Sequence, residues 1–457
     1  MTFARALRSL PILVLAGVGI AVPSAGSSSA PAPVAAAASS TASAVTAGFS
    51  HTCALTSAGT VKCWGDNYWG QLGDGTTRDR GTPVNVSGLP RGVRAIAAGD
   101  LHTCALTAAG GVKCWGDNAS GRLGDGTTSE RHTPVAVSGL ASGVSAVAAG
   151  GNHTCALTAA GGVKCWGFNE YGQLGDGTTT ERHTPVDVPG LASGVNAIAA
   201  ALYHTCALTA SGGVKCWGGT SSTPVDVPGL ASRVSAIATG AQHTCALAAA
   251  GGVKCWGWNR YGQLGDGTTT SRSTPVDVSG LVSGFSAIAA GGNHTCALTA
   301  SGRTKCWGWN RYGQLGDGKT TERHTPVGVS GLASGVNAIA VGVYHTCALT
   351  ASGGIKCWGR NNYGQLGDGK ACGSRCPRPV GVVGFGRAQC VVPKVKGKQL
   401  AAAKRAIKKA HCAAGKVTKA YSKKVKKGRV ISQRPRPGTT LPAASPVALR
   451  VSKGPRR

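Results

Sequence analysis

The chain has 457 residues, with 71 glycines, 18 cysteines and only 5% aromatic residues; its 48 Lys and Arg against 17 Asp and Glu give a formal net charge of +31. One apolar stretch, near the N-terminus, excludes a multi-span membrane protein, and so many cysteines argue for disulfides in an oxidising compartment over a thiol pool. The charge is lopsided: residues 387 to 457 carry 21 Lys and Arg and no acid, about two thirds of the excess, so two parts with different electrostatic tasks are expected.

At the N-terminus, Arg5 and Arg8 precede an apolar run from Leu10 to Val22 and small residues around Ala25 and Ala30. That is the layout of a secretory signal peptide, assigned to residues 1–25. Residues 26–40 are almost wholly Ala, Ser, Pro and Gly and read as a disordered linker.

One cassette then recurs seven times: HTCAL, a tight turn, KCWG, a glycine-rich loop and TPV. Its first cysteines are Cys53, Cys104, Cys155, Cys206, Cys245, Cys296 and Cys347, at steps of 51, 51, 51, 39, 51 and 51 residues. A unit of this length cannot bury its own apolar face and must stack on neighbours. Each unit holds four short β-type runs bounded by Gly, Ser, Asn and Asp, with nothing helical between them. Seven such units predict an all-β fold, a seven-bladed β-propeller of four-stranded blades spanning residues 41–386. The small-residue run (AIAAG) suits the crowded strand at the central channel, and the Trp of KCWG and the Val of TPV are expected to pack between blades.

Within each cassette a second cysteine follows ten residues after the first: Cys63, Cys114, Cys165, Cys216, Cys255, Cys306 and Cys357. In a hairpin turning at TAAGG, such positions face each other across adjacent strands, which predicts one bridge per blade. The competing reading is metal, because His-x-Cys recurs with a second Cys nearby, but zinc sites use tighter cysteine spacing. No metal or cofactor is expected. The seven cassette histidines read as structural, and His132, His183 and His324 of the ERHTP loops are expected to face solvent.

Comparison among the blades points to a binding surface. Turns after the second and fourth strands are small and monotonous; turns after the first and third strands vary and emerge together at the other end. The candidate binding residues there are Tyr68, Trp69, Phe168, Tyr203, Trp258, Arg260, Trp309, Arg311, Tyr344 and Arg360. Exposed Trp, Tyr and Arg are the composition of a protein or carbohydrate recognition face. The Tyr preceding Gly-Gln-Leu-Gly is expected to pack under its loop, and the residue after CWG to lie on the surface. The fourth blade lacks twelve residues of its loop (CWGGTSSTPV), which predicts a notch in the rim. No catalytic arrangement breaks the repetition, so the protein is read as a non-enzyme; the Asp of each LGDG reads as a turn residue.

The cassette, and above all its NxxGQLGDG core at Asn169 to Gly177 or Asn310 to Gly318, resembles the regulator of chromosome condensation repeat family, whose members form seven-bladed propellers. The cysteine pairs depart from the nuclear members. The resemblance implies the fold, while export argues against guanine-nucleotide exchange on a nuclear GTPase.

The C-terminal segment, residues 387–457, resembles a PASTA domain, a small α+β unit. The resemblance rests on Val392-Pro393, the AAAKRAIKKA helix, Val430 to Gln433 with Pro435 and Pro437-Gly438, and Val451 to Gly454. Leu400, Ala403, Ile407 and Ala410 form an apolar face at helical spacing. Cys390 and Cys412 flank this helix and are expected to bridge its ends; the partners of Cys372 and Cys376 stay open. PASTA domains imply a bacterial cell-wall setting. The wall-binding candidates are Lys404, Arg405, Lys408, Lys409, Lys423, Lys424, Arg434 and Arg436, basic residues suited to peptidoglycan or an anionic wall polymer. Nucleic acid is a poorer partner, since export removes it and Tyr421 is the segment's one stacking platform.

Together these readings describe a secreted, wall-associated binding protein whose propeller face holds a protein or glycan. The alternatives are a secreted inhibitor of an extracellular enzyme such as a β-lactamase, which the repeat family also includes, and a lectin-like sugar binder.

Overall fold

The computed structural model describes residues 40–456 except 370, 371, 387, 388, 411, 443 and 444. The signal-peptide assignment, and the linker up to residue 39, lie outside the described residues. Two compact units are present, one from Thr41 to Gly384 and one from Phe385 onward.

The first unit is a ring of seven four-stranded antiparallel sheets, each built from four strands consecutive in sequence. Blade one shows the plan: Ala42–Ala47, His51–Thr56, Val61–Gly65 and Arg80–Asn85. The first strands neighbour one another around the centre. Because the last blade is complete in itself, the ring closes without strand exchange. It closes through ordinary contacts between blades seven and one: Ala42 N donates to Gly353 O at 2.9 Å and Trp64 Nε1 to Gln365 O at 2.9 Å.

The cysteine pairs sit opposite each other on the second and third strands, Cys53 against Cys63 and Cys155 against Cys165, and all seven pairs are disulfide-bonded with Cα atoms 4.1 Å apart. That is the close cross-strand spacing of a non-hydrogen-bonded pair, so the hairpin register itself positions the sulfurs. Cys372 and Cys376 bond to each other in the last blade's loop. Cys412 is disulfide-bonded too, while the side chain of Cys390 lies outside the described residues.

Between blades, the tryptophans of KCWG fill the core as expected: six of the seven are at most 1% exposed. The valines of TPV do less than expected. Val84, Val135, Val276 and Val327 are half-buried and Val225 is exposed, whereas the valines two residues on, such as Val137, Val188 and Val278, are buried. The TPV valine lies on the outermost strand, which has a neighbour on one side only.

The LGDG aspartates organise the long loop. Asp74 Oδ1 accepts from Thr76 N, Thr76 Oγ1 and Asn67 Nδ2, and Oδ2 meets Arg80 at 2.7 Å. The same pairing recurs at Asp125–Arg131, Asp176–Arg182, Asp266–Arg272 and Asp317–Arg323. Burial pushes these carboxyls up, but the Thr and Arg bonds outweigh it and hold Asp74 below the usual carboxylate range. These are clasps within one loop, more than the bare turn residues the repetition suggests.

The second unit packs the helix Leu400–Lys409 on a three-stranded sheet of Ala413–Ala420, Pro446–Ser452 and Val430–Arg434. Ala403 and Ile407 point into its core beside Val395, Val430 and Val447. Leu400 and Ala410 close the edge of that apolar face, as the helical spacing predicts.

Candidate binding face

Each first strand is followed by Gly or Ala because the turns crowd together at the channel. A Cβ on Gly48, Gly99 or Gly342 would run into the next turn's carbonyl and into the histidine ring of its own blade. The turns bond to one another in a belt: Phe49 N donates to Asp100 O, Asp100 N to Gly150 O, and Val343 N to Gly48 O, each at 3.2 Å. They frame a channel mouth with a cavity of about 370 Å³, lined among others by Phe49, Asp100, Tyr203, Trp258 and Tyr344.

Around this mouth the structure sorts the ten candidate residues into three groups. Trp258, Trp309 and Tyr344 belong to a continuous run of rings across blades five, six, seven and one. Trp258 meets Tyr261 at 5.4 Å between centroids, Tyr261 meets Trp309 at 5.7 Å, Trp309 meets Tyr344 at 5.5 Å, and Tyr344 meets Phe49 at 5.1 Å. Arg360 is held in the same run. Its guanidinium carbon lies 5.4, 5.3 and 5.8 Å from the rings of Tyr312, Tyr344 and Tyr363, and its buried Nε has no hydrogen-bond acceptor among the described residues. A cation cradled by three rings keeps its outer edge available for an anion.

The second group is Phe168 and Tyr203, joined through Tyr171 at 6.1 and 4.9 Å. The third is Tyr68 and Trp69, in edge contact at 5.0 Å, with Tyr68 70% exposed. Arg260 and Arg311 are exposed beside the first group.

The exposure pattern departs from the expectation in part of the long loops. Of the Tyr residues preceding Gly-Gln-Leu-Gly, Tyr171 and Tyr363 are exposed and Tyr261 and Tyr312 half-buried, while Phe168, Trp258, Trp309 and Arg360, each following CWG, are half-buried. The residue after CWG continues the third strand toward the channel, and the Tyr caps it from outside. Of the ERHTP histidines, His183 is exposed as expected, while His132 and His324 are half-buried; each lies against a glycine of the preceding blade, His132 on Gly70, His183 on Gly121 and His324 on Gly262. His132 pairs with Glu130 at 2.9 Å.

Blade two adds a polar sector that pattern reading missed. Arg122, which replaces the Gln of GQLG in this blade alone, is buried and paired with Asp117 at 2.8 Å. Asp100, at the channel mouth, is pushed up to about 6 by burial, with Arg122 pulling the other way. Burial likewise raises the Tyr344 hydroxyl, against the pull of Arg360. The signal was present as the single GRLG among the repeats, together with an Asp in the first turn.

In the C-terminal unit, Lys404, Arg405, Lys408, Lys409, Lys423, Lys424, Arg434 and Arg436 are all exposed. Tyr421, 56% exposed, lies under Lys453 and Arg456 at 5.2 and 6.0 Å. The helix carries no acid in its first turn and Lys408 and Lys409 in its last.

Known proteins agree with this architecture. The regulator of chromosome condensation (RCC1) repeat matches residues 58–106, 109–157, 160–208, 250–298 and 301–349, and a second form of the repeat matches seven segments between 42 and 365. The PASTA domain matches residues 391–453. The chain is 33% identical over 341 residues to the ultraviolet-B receptor UVR8 of Arabidopsis thaliana, covering 73% of this chain and 68% of that protein. It is 31% identical over 337 residues to the E3 ubiquitin-protein ligase HERC2 of Homo sapiens, 72% of this chain but only 6% of HERC2. Among solved structures, Prp20p of Saccharomyces cerevisiae superposes with a TM-score of 0.62 at 23% identity, covering 75% of this chain and 87% of Prp20p. Human WBSCR16 gives 0.61 at 25% identity, covering 74% and 96%. With its seven blades, its GQLGDG loops and these matches, the chain belongs to the regulator of chromosome condensation repeat family and carries a C-terminal PASTA domain.

Proposed function

We propose that this protein is exported to the bacterial cell wall and acts there by binding, not catalysis. Its PASTA domain attaches to peptidoglycan or an anionic wall polymer, and the propeller's mouth face holds a protein partner. The observation that carries the wall reading is the C-terminal unit itself: exposed bases, all eight candidates among them, in a segment without a single acid to neutralise them. Such a surface attracts polyanions and loses its hold as salt screens it. The disulfides in every blade fit a life outside the reducing cytosol.

A protein partner is supported by the ring run with Arg360 at its centre, since aromatic residues and Arg are enriched where proteins bind one another. The match to 6% of HERC2 brings the repeat and not the ligase activity. The test is sedimentation with purified peptidoglycan, with and without residues 387–457, at low and high salt. Co-sedimentation that needs the C-terminal unit and weakens with salt is the expected result; equal sedimentation without it refutes the wall role. Pull-down from culture medium then identifies the face's partner: capture of an enzyme selects the inhibitor reading, and glycan-array binding without protein capture selects the lectin reading.

A further inference from the structure

In every full-length loop, the Gln of GQLG (Arg122 in blade two) does one job for the next blade. Its carbonyl accepts two bonds, from the Trp Nε1 and the Thr Oγ1 of the following blade. Gln71 O takes Trp115 at 3.0 Å and Thr103 at 2.9 Å, and Gln365 O takes Trp64 at 2.9 Å and Thr52 at 2.8 Å. Six of the seven junctions are built so. The Leu that follows is fully buried, and the next Gly lies flat on the same indole, where a Cβ would collide.

Blade four lacks this turn, and the loss falls on blade five. Thr244 and Trp256 are cross-strand partners that meet no such carbonyl. Among the described residues, Trp256 Nε1 has no hydrogen-bond partner, and Thr244 Oγ1 has only His204 at 2.8 Å. Trp256 is half-buried where its six counterparts are closed, and Cys216 and His204 are opened with it.

We propose that this notch between blades four and five docks a turn from a partner protein. The turn supplies a main-chain carbonyl to Trp256 Nε1 and Thr244 Oγ1 and a leucine-sized side chain, followed by glycine, to the space beside the indole. Six filled copies in the same molecule define that chemistry: one carbonyl, one buried Leu, one Gly without a Cβ. The ring closes and the His204–Thr244 bond forms without it, so the notch belongs to a complete propeller and is not waiting for a blade of its own. None of His204, Thr244 and Trp256 lines the cavity at the channel mouth, so the proposal stands or falls independently of the proposed function.

The test titrates the intact, disulfide-bonded protein by calorimetry with a cyclic peptide carrying Asn-Arg-Tyr-Gly-Gln-Leu-Gly-Asp-Gly, the loop sequence of residues 259–267. Saturable binding is expected, weakened about tenfold or more when the peptide's Leu becomes Asp. A variant with the third blade's full loop grafted into the fourth should not bind. Trp256→Phe and Thr244→Val, each removing one donor from an otherwise complete protein, should each weaken binding severalfold, and they serve if the graft fails to fold. No saturable binding at millimolar peptide, or binding indifferent to the Leu→Asp change and to both single variants, overturns the proposal.

Discussion

His102 of blade two reaches across to blade three, its Nε2 lying 2.8 Å from Thr154 Oγ1. Thr154 Oγ1 in turn donates to Arg122 O at 2.9 Å. A hydroxyl has one proton, and here it is spent on the carbonyl; His102 must therefore be the donor to Thr154, which fixes the Nε2–H tautomer. The His–Thr bond repeats at all seven junctions, from His51–Thr103 to His345–Thr52, and the carbonyl leg at every one but His204–Thr244. Histidines that looked structural from recurrence alone are thus the inner fastening between blades. Thr154→Val strands the imidazole N–H in a closed core and should cost about 1–3 kcal/mol, measured by urea denaturation, with Thr154→Ser largely restoring stability. Thr244→Val should cost less, because its partner His204 is open to water in the notch.

The same relay sets the acid limit of the fold. Burial pushes His51, His153, His243, His294 and His345 down to about 3 and His204 to about 4. An unfolded histidine takes its proton near 6.5, so below that pH the unfolded state binds more protons. The stability these groups contribute is whole above about pH 6.5 and drains as pH falls toward 3. At pH 5 each fully buried ring forfeits about 2 kcal/mol, so even a fraction of that, multiplied around the ring, moves the unfolding midpoint. Denaturant midpoints should fall steeply between pH 7 and pH 5. A flat profile across that range would show that the rings are not neutral and closed.

Reduction should begin at one blade. Cys216 is half-buried beside the notch, while the other cassette cysteines are 0% exposed. Thiolate attack needs access to a sulfur, so mild reductant followed by alkylation and mass mapping should label the Cys206–Cys216 pair first among the seven. Each closed loop of about ten residues stabilises by roughly 2–3 kcal/mol in the chain-entropy account. Losing one should soften the propeller and losing all should unfold it.

The repeat spacing and the i, i+10 cysteines were enough to read the ring, the blade count and the bridges, because those follow from contacts inside one hairpin. What escaped were contacts between repeats. Tyr171 and Phe168 exchange the roles expected of them because the channel side of the loop is defined only once blades stand side by side. The Asp100–Arg122 sector joins a turn and a loop of blade two at the crowded centre, and pattern reading treats each of them as a variable position. The twelve missing residues predicted a notch, but its wall, Trp256, lies in the following cassette, whose own sequence is unremarkable.

Asp100 should make the mouth pH-sensitive. With its carboxyl raised by burial to about 6, the ionised form is disfavoured in the folded state, so this residue costs stability as pH rises from about 4 through 6. Asp100→Asn should therefore stabilise the protein at pH 8, by about 1 kcal/mol once partial solvent access and the Arg122 attraction are allowed for, and change little at pH 4. Thermal melts of both proteins at the two pH values check this; equal shifts at both would assign the effect to packing.

Arg360 separates recognition from stability. Its guanidinium is held by Tyr312, Tyr344 and Tyr363 with no acidic partner in the ion pairs of the described residues. A half-exposed cation over rings contributes about 0.5–1 kcal/mol to folding, so Arg360→Ala should melt close to the wild type. Its loss from a recognition surface is a larger matter, since a buried Arg at the centre of an interface is typically worth 2 kcal/mol or more, about thirtyfold in affinity. Lysine keeps the charge but neither the planar stacking nor the forked donors, so Arg360→Lys should rescue only part of the binding to whichever partner the pull-down yields. If Arg360→Lys binds as well as the wild type, the rings hold a simple positive charge and the directional contact with an anion proposed here is wrong; if Arg360→Ala does too, the mouth face is not where the partner sits.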